Sequence, residues 1–184
     1  TAREGNFYKK GNGEIIVDAS DNVYVASSTN SSDFPIVGAF QPTFGGGYVD
    51  GCVFKMPSDL SSLIWSSFLG GSDRDDIHSI ILGPGNNLYV TGVTESNNFP
   101  VSTTGVLHST LVGESDGFIT NINTNGSSII KSTYYGSAED DEIQLITSDA
   151  SGNIYVFGQT RTTGNTFIYN AQWNNPGGMH FISK

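Results

Sequence analysis

The chain has almost no cysteine and no long apolar run. Cys52 is the only cysteine among 184 residues, so no disulfide can form within the chain. We expect its side chain to be small, apolar and buried. No apolar stretch approaches the roughly 20 residues that cross a bilayer as a helix, and residue 1 opens no charged-then-apolar leader. We therefore expect a soluble chain that does not insert into a membrane.

Positive charge is also scarce. Eight Lys and Arg residues stand against eighteen Asp and Glu residues, which gives a net charge of −10 at pH 7. Such a surface repels phosphate backbones, so no nucleic-acid partner is expected. Only 14% of the residues are charged, whereas 23 are glycine. This composition is typical of many short strands joined by turns, and it does not favour long helices.

The sequence does contain an internal repeat. Residues 21–25, 86–90 and 152–156 share an Asn, an aliphatic residue, a Tyr and a Val, and their tyrosines lie 65 and 66 residues apart. Further landmarks keep the same spacing. These are Phe-Pro at 34–35 and 99–100, Asp-Gly at 50–51 and 116–117, and an aromatic segment ending in Gly at 67–70 and 133–136. The agreement of four landmarks indicates one unit of about 65 residues, present nearly three times.

Each unit contains four short apolar runs that are rich in β-branched and aromatic residues, and each run is predicted to be a strand. In the first unit they are 15–17, 23–26, 52–56 and 63–68. A four-stranded antiparallel sheet cannot cover both of its faces, whereas sheets stacked around an axis can. The predicted fold class is therefore all-β, with β-propeller blades formed by about three four-stranded antiparallel repeats. One repeat domain, 1–184, would contain blades at 13–70, 71–136 and, incomplete, 137–184.

The order of these landmarks resembles the bacterial β-propeller repeat called the SBBP repeat. The likeness runs through Asp-x-Ser-x-Asn-hydrophobic-Tyr-Val, a Phe-Pro loop, Asp-Gly before a strand, and aromatic-hydrophobic-Gly-Gly, over about residues 13–184. It implies a propeller in a secreted or cell-surface bacterial protein, without implying catalysis. The third copy departs from the pattern at residues 166–168 and 179–180. Three copies are fewer than the four to eight blades that close a ring, so we expect a piece of a longer array or closure by self-association.

Two sets of long loops are expected at one end of the sheets, because alternate turns of a meander emerge on the same side. Their candidate residues for binding a ligand or partner are Phe34, Phe99, His108, Trp173, Asp75 and Asp141. The alternative for Phe34 and Phe99 is a plug that folds back over the blade interface. Trp173 is the first choice for contact with a partner, because Trp is enriched among binding hot spots.

Acidic side chains on the two crossing loops, 70–76 and 136–142, suggest a calcium site, because Ca²⁺ binds through oxygen. The candidate ligands are Asp73, Asp75, Asp76, Asp140, Asp141 and Glu142. The alternative is a solvated loop that keeps the molecule soluble. Residues 18–22 and 149–153 imitate a calcium loop but have few carboxylates, so we interpret them as hairpin turns. No other cofactor is expected.

Catalysis is not expected. Residues 113–117 match Gly-x-Ser-x-Gly, but they lie in a loop that enters a strand, and no helix follows. The three histidines show no zinc-binding spacing. We expect a non-catalytic extracellular or cell-surface module that serves as a structural or protein-interaction platform. Its partners would be other proteins, or further blades of the same or another chain. The alternative is a carbohydrate-binding propeller that holds sugars with aromatic and acidic loop residues.

Overall fold

The computed structural model describes residues 13–162 and 179–184, which form three antiparallel sheets. The first sheet contains β1 (Gly13–Val17), β2 (Val23–Thr29), β3 (Asp50–Met56) and β4 (Trp65–Leu69). The second contains β5 (Asp75–Leu82), β6 (Leu88–Thr94), β7 (Asp116–Ile122) and β8 (Ile129–Tyr135). The third contains β9 (Asp141–Ser148), β10 (Ile154–Thr160) and β11 (His180–Ser183).

Within each sheet, every strand pairs with its neighbour in the chain, so all three sheets are meanders. The prediction of an all-β chain made of short antiparallel strands is confirmed. Helical geometry in the described residues is limited to the short turn Pro84–Asn86, and none of these residues forms a helix able to cross a membrane. Residues 166–168, where the third repeat departs from the pattern, lie outside the described residues.

An aspartate organises the hairpin turn at the start of the first sheet. Asp18 Oδ1 accepts hydrogen bonds from the backbone N–H groups of Ser20 and Asn22, and Oδ2 accepts one from the Tyr24 hydroxyl. Residues 149–153 repeat this turn, with the same three kinds of bond made to Asp149. Both carboxylates therefore bind donors of their own hairpins, which agrees with the interpretation as turns.

These bonds hold both carboxylates in the ionised form. Burial raises the pKa of Asp18, but the hydrogen bonds from Asn22 and Ser20 outweigh burial and hold this pKa well below its usual range. The hydrogen bonds from Asn153 lower the pKa of Asp149 to about 2.

The sheets pack face to face in chain order. The forward face of the first sheet, which carries Tyr24, Ala26 and Val53, is buried against Ile80 and Val90 on the rear face of the second. The forward face of the second sheet, with Ile81, Tyr89 and Ile119, packs against the buried residues of the third. In both junctions the first strand of the later sheet, β5 or β9, crosses the preceding sheet. The core therefore consists of two similar layers between three sheets.

One position on the third strand of each sheet accepts different apolar side chains. Cys52, Phe118 and Phe181 occupy it, and they are 4%, 0% and 1% exposed. Burial raises the pKa of the Cys52 thiol to about 11. The expectation of a buried, apolar cysteine is confirmed.

A β-bulge in the first strand of the second and third sheets lies opposite a glycine. The pairing of β5 with β6 shifts register opposite Gly92, and that of β9 with β10 shifts at Gly158. A Cβ atom at Gly92 would lie 1.9 Å from the backbone oxygen of Asp76, and one at Gly158 would lie 2.2 Å from that of Glu142. The bulged backbone occupies the space that a side chain would need at either position.

We expect Gly92→Ala to lower the free energy of unfolding by roughly 2–3 kcal/mol, because an added methyl in a packed core costs about 1–3 kcal/mol. Urea denaturation followed by circular dichroism measures the change. Gly158→Ala is the matched comparison and should cost a similar amount. An unchanged urea midpoint for both variants would contradict the bulged register.

Candidate functional site

Phe34 and Phe99, two of the candidate ligand-binding aromatics, pack on their own sheets. The Phe99 ring lies 4.5 Å from that of Phe118 and 6.2 Å from that of Tyr134, and Phe99 is only 3% exposed. Phe34 is half-buried, with its ring 5.8 Å from that of Phe68. The plug interpretation describes both positions, and Phe99 presents no open ring face to a ligand.

Truncation of the plug should destabilise the fold. We expect Phe99→Ala to lower the free energy of unfolding by roughly 3–5 kcal/mol, the usual cost of emptying a buried aromatic position. Tyr48→Ala, at an aromatic residue that is 73% exposed, is the control and should change little. Equal effects of the two substitutions in a urea titration would refute the role of Phe99 as a plug.

The long loops and the crossing loops meet at one end of the sheets. A Cβ atom at Gly45 would lie 2.2 Å from the backbone oxygen of Gly71, and one at Gly113 would lie 2.3 Å from that of Glu139. Backbones approach this closely only where side chains are absent. Glycine therefore allows a long loop to contact the crossing loop 70–76 in one case and the crossing loop 136–142 in the other.

The acidic residues of the crossing loops do not converge on one point. Asp76 forms an ion pair with Arg74 at 2.5 Å, and Asp140 forms one with Arg161. Asp73 is exposed and accepts a hydrogen bond from its neighbour Ser72.

Glu142 accepts a hydrogen bond from Gln144 Nε2 at 2.7 Å. Across residues 13–162 and 179–184, no group of three or more His, Cys, Asp or Glu side chains is arranged to hold a metal. The structure therefore does not bring the six predicted calcium ligands together.

Asp75 and Asp141 differ from the other acids, because each is buried beside another aspartate. We call Asp50 with Asp75 the first aspartate pair and Asp116 with Asp141 the second. All four residues are at most 2% exposed. Each pair joins two sheets, because one member begins the third strand of a sheet and the other begins the first strand of the next.

A glycine lies within the first aspartate pair. The point where Gly70 would carry a Cβ lies 2.7 Å from Asp50 Oδ1 and 2.9 Å from Asp75 Oδ2. The two carboxylates are therefore close neighbours.

Hydrogen bonds satisfy only one oxygen of each carboxylate in the first aspartate pair. Asp50 Oδ2 accepts the backbone N–H of Gly45 at 2.5 Å. Asp75 Oδ2 accepts the backbone N–H of Gly71 at 2.6 Å and the Ser96 hydroxyl at 2.9 Å. Both Oδ1 atoms are buried, and neither has a hydrogen-bond partner among the described residues.

The second aspartate pair is better satisfied. Asp116 accepts the backbone N–H groups of Val112 at 2.7 Å and Gly113 at 3.3 Å, one on each oxygen. Asp141 Oδ2 accepts both the N–H and the hydroxyl of Ser137, while its Oδ1 has no hydrogen-bond partner within residues 13–162 and 179–184. Both junctions therefore contain two buried aspartates bound by backbone N–H groups. They differ at Asp50 Oδ1, which is unpartnered among the described residues, whereas both oxygens of Asp116 accept hydrogen bonds.

Burial makes these carboxylates reluctant to ionise. It raises the pKa of Asp50 and of Asp75 to about 6, and it raises the pKa of Asp116 and Asp141 above the usual range. The neighbouring carboxylate raises the pKa of Asp50 and Asp116 further, whereas the N–H donors oppose the shift. Among the residues that the structure describes, no Lys, Arg or His forms an ion pair with any of the four.

Stability should fall as the first aspartate pair ionises. The pKa of about 6 in the folded protein exceeds the value of about 3.9 in an unfolded chain, so the contribution is complete below about pH 4 and is lost as the pH rises through about 6. In buffer with a chelator, we expect a higher unfolding temperature at pH 5 than at pH 7.5.

Asp75→Asn should remove much of this pH dependence. Asp59→Asn, which makes the same charge change at an exposed residue, should keep it. Calorimetric scans that show no loss of wild-type stability between pH 5 and 7.5 would contradict the assignment.

The remaining candidates do not assemble a further site in the described residues. The backbone of His108 bonds to Thr133 and Tyr134, which ties the loop to β8. Ser115, of the Gly-x-Ser-x-Gly match, donates a hydrogen bond to Asp140 at 3.3 Å. Trp173 lies outside the described residues.

No protein-family model matches the chain, and no curated protein is significantly similar to it. The likeness to the SBBP repeat stays a prediction that depends on the residues quoted above.

Proposed function

We propose that the chain is a non-catalytic β-propeller repeat module of the SBBP type, in an extracellular or bacterial cell-surface protein. Its three units would be the blades 13–70, 71–136 and 137–184. The module would act as a structural platform whose partners are further sheets of the same repeat. One observation carries the proposal: in the described residues, both outer faces of the stack expose apolar side chains at positions that are covered by a neighbouring sheet elsewhere in the stack.

The forward face of the third sheet supplies the first half of this observation. Leu145, Phe157 and Ile182 form one row across the sheet. Leu145 is 56% and Ile182 is 50% exposed. One repeat earlier, Thr91 and Ile119 occupy the places of Phe157 and Ile182, and their face packs against the third sheet.

The rear face of the first sheet supplies the second half. Ile15 and Val17 on β1 are 64% and 55% exposed. Ile80 and Ile146 occupy the place of Ile15 in the second and third repeats, where they are 0% and 5% exposed against the preceding sheet. The same position is thus apolar in all three repeats, and only its first copy lacks a covering sheet among the described residues.

The two exposed faces, the rear face of the first sheet and the forward face of the third, are both apolar and are of the two types that pack together inside the stack. A sheet like the first could pack on the third in the way that the second packs on the first. Such head-to-tail contact closes into a ring when the rotation per sheet allows it, and a ring of sheets is a propeller. Exposed apolar patches of this kind mark interaction surfaces.

The extracellular location is supported by the likeness to the SBBP repeat. The carbohydrate-binding alternative rests on Phe34, Phe99, Trp173 and Asp75. The first two pack on their own sheets and Asp75 is buried, so the geometry of these three described residues does not favour this alternative. A glycan array tests it directly.

We expect the isolated chain to self-associate through its end faces at high concentration. Leu145→Glu combined with Ile182→Glu should shift the mass toward the 19.6 kDa of the monomer, because charge on an apolar interface opposes contact. Light scattering after size-exclusion chromatography measures this mass.

Leu107→Glu, at an exposed apolar residue of a loop, is the matched control and should leave the mass unchanged. A wild-type chain that is monomeric at the highest attainable concentration would contradict the proposal.

A further inference from the structure

The first aspartate pair leaves two buried carboxylate oxygens, Asp50 Oδ1 and Asp75 Oδ1, with no hydrogen-bond partner in the part of the chain that the structure describes. Both residues are 0% exposed. A buried carboxylate without compensation is costly, so it requires either a proton or a cation. Asp50 Oδ1 lies near the Asp75 carboxylate, beside Gly70, and one occupant could therefore serve both groups.

The hydrogen-bond donors around the first aspartate pair favour the charged form, whereas burial without a positive partner opposes it. The hydrogen bonds to Asp50 and Asp75 come from N–H and O–H donors, which stabilise a carboxylate. The nearby Tyr134 hydroxyl donates instead to the backbone oxygen of Ser96. Asp73 adds further negative charge beside Asp75. Among the described groups, none supplies a positive charge to pair with Asp50 or Asp75, so a cation would complete this junction.

The atoms around the first aspartate pair are hard oxygen donors. Besides the two carboxylates, they include the hydroxyls of Ser96 and Thr94 beside Asp75. Ca²⁺ takes carboxylate, hydroxyl and carbonyl oxygens in flexible geometry, whereas Mg²⁺ requires near-ideal octahedral geometry. We propose that the first aspartate pair binds a calcium ion, which joins the first sheet to the second.

The second aspartate pair forms a weaker site of the same kind. Among the described groups, only Asp141 Oδ1 is unpartnered there, because both oxygens of Asp116 accept backbone hydrogen bonds. These sites differ from the acidic cluster predicted from the sequence. They use Asp50 and Asp116, which that cluster did not contain, and they leave out Asp73 and Asp76.

The test measures the unfolding temperature and the heat of binding on chelator-treated protein at pH 7.5 with CaCl₂, MgCl₂ or NaCl. We expect Ca²⁺ at about 100 times its Kd to raise the unfolding temperature by roughly 5 °C or more. Mg²⁺ and Na⁺ should have much smaller effects.

Asp50→Asn and Asp75→Asn should each abolish the stronger calcium response. Asp59→Asn, the exposed control, should keep that response, and Asp116→Asn should remove only the weaker one. Without calcium, the Asn variants at the first pair should be at least as stable as the wild type, because a buried charge is gone. Circular dichroism confirms that they are folded.

Three results of these stability and binding measurements would overturn the proposal. The first is a wild type that does not respond to calcium but becomes less stable as the pH rises, which means that the pair shares a proton. The second is a calcium response that survives the Asp50→Asn, Asp75→Asn double variant. The third is an equal response to Mg²⁺ and Na⁺, which indicates charge screening alone.

Terbium luminescence of the wild type, excited through tyrosine, gives a readout that needs no variant. Calcium should displace the bound terbium, and an absence of sensitised emission or of displacement would count against the site. Calcium binding at the first aspartate pair does not require contact between the end faces. Light scattering on the same samples measures the mass and therefore separates ion binding from assembly.

Discussion

The structure depends on one constraint: a four-stranded meander has two apolar faces and cannot cover either of them. Each junction solves this in the same way. The forward face of one sheet receives the rear face of the next, and the long loop of each complete sheet places a phenylalanine over the outer part of its own rear face. Burial of apolar area between neighbours then supplies the main stabilisation, as in other repeat proteins.

Local signals in the sequence were sufficient to predict the strands and turns. The Asn-x-Tyr-Val segments mark the second strand of every sheet, and the aspartates at 18 and 149 mark hairpin turns that the structure shows in detail. The spacing of four landmarks predicted the units, and each sheet of the structure takes its strands from one continuous stretch of chain. These features depend on residues close in sequence, where propensity and turn chemistry are informative.

Burial of the aspartates in the two pairs could not be predicted from local sequence patterns. Asp75 follows a Gly-Ser-Asp-Arg segment, which is typical of a solvated loop, yet it is buried because the loop near Gly45 packs on the crossing from another part of the repeat. Asp50 and Asp116 were visible only as landmarks. The signal that could have singled them out is an aspartate that opens a strand whose following residues are apolar, repeated in two units. The pairing itself requires contacts between sheets, which no local pattern contains.

The glycine contacts at the crossing loops also determine where the chain can tolerate changes in length. At this end of the sheets, the backbone near Gly45 touches the Gly71 crossing, and Gly113 touches Glu139, so an added residue would separate two segments that hold the aspartates in place. The turn at 58–62, at the opposite end, is exposed. Tags, epitopes or engineered binding loops therefore belong in that turn, where an insertion would leave the joints between sheets intact.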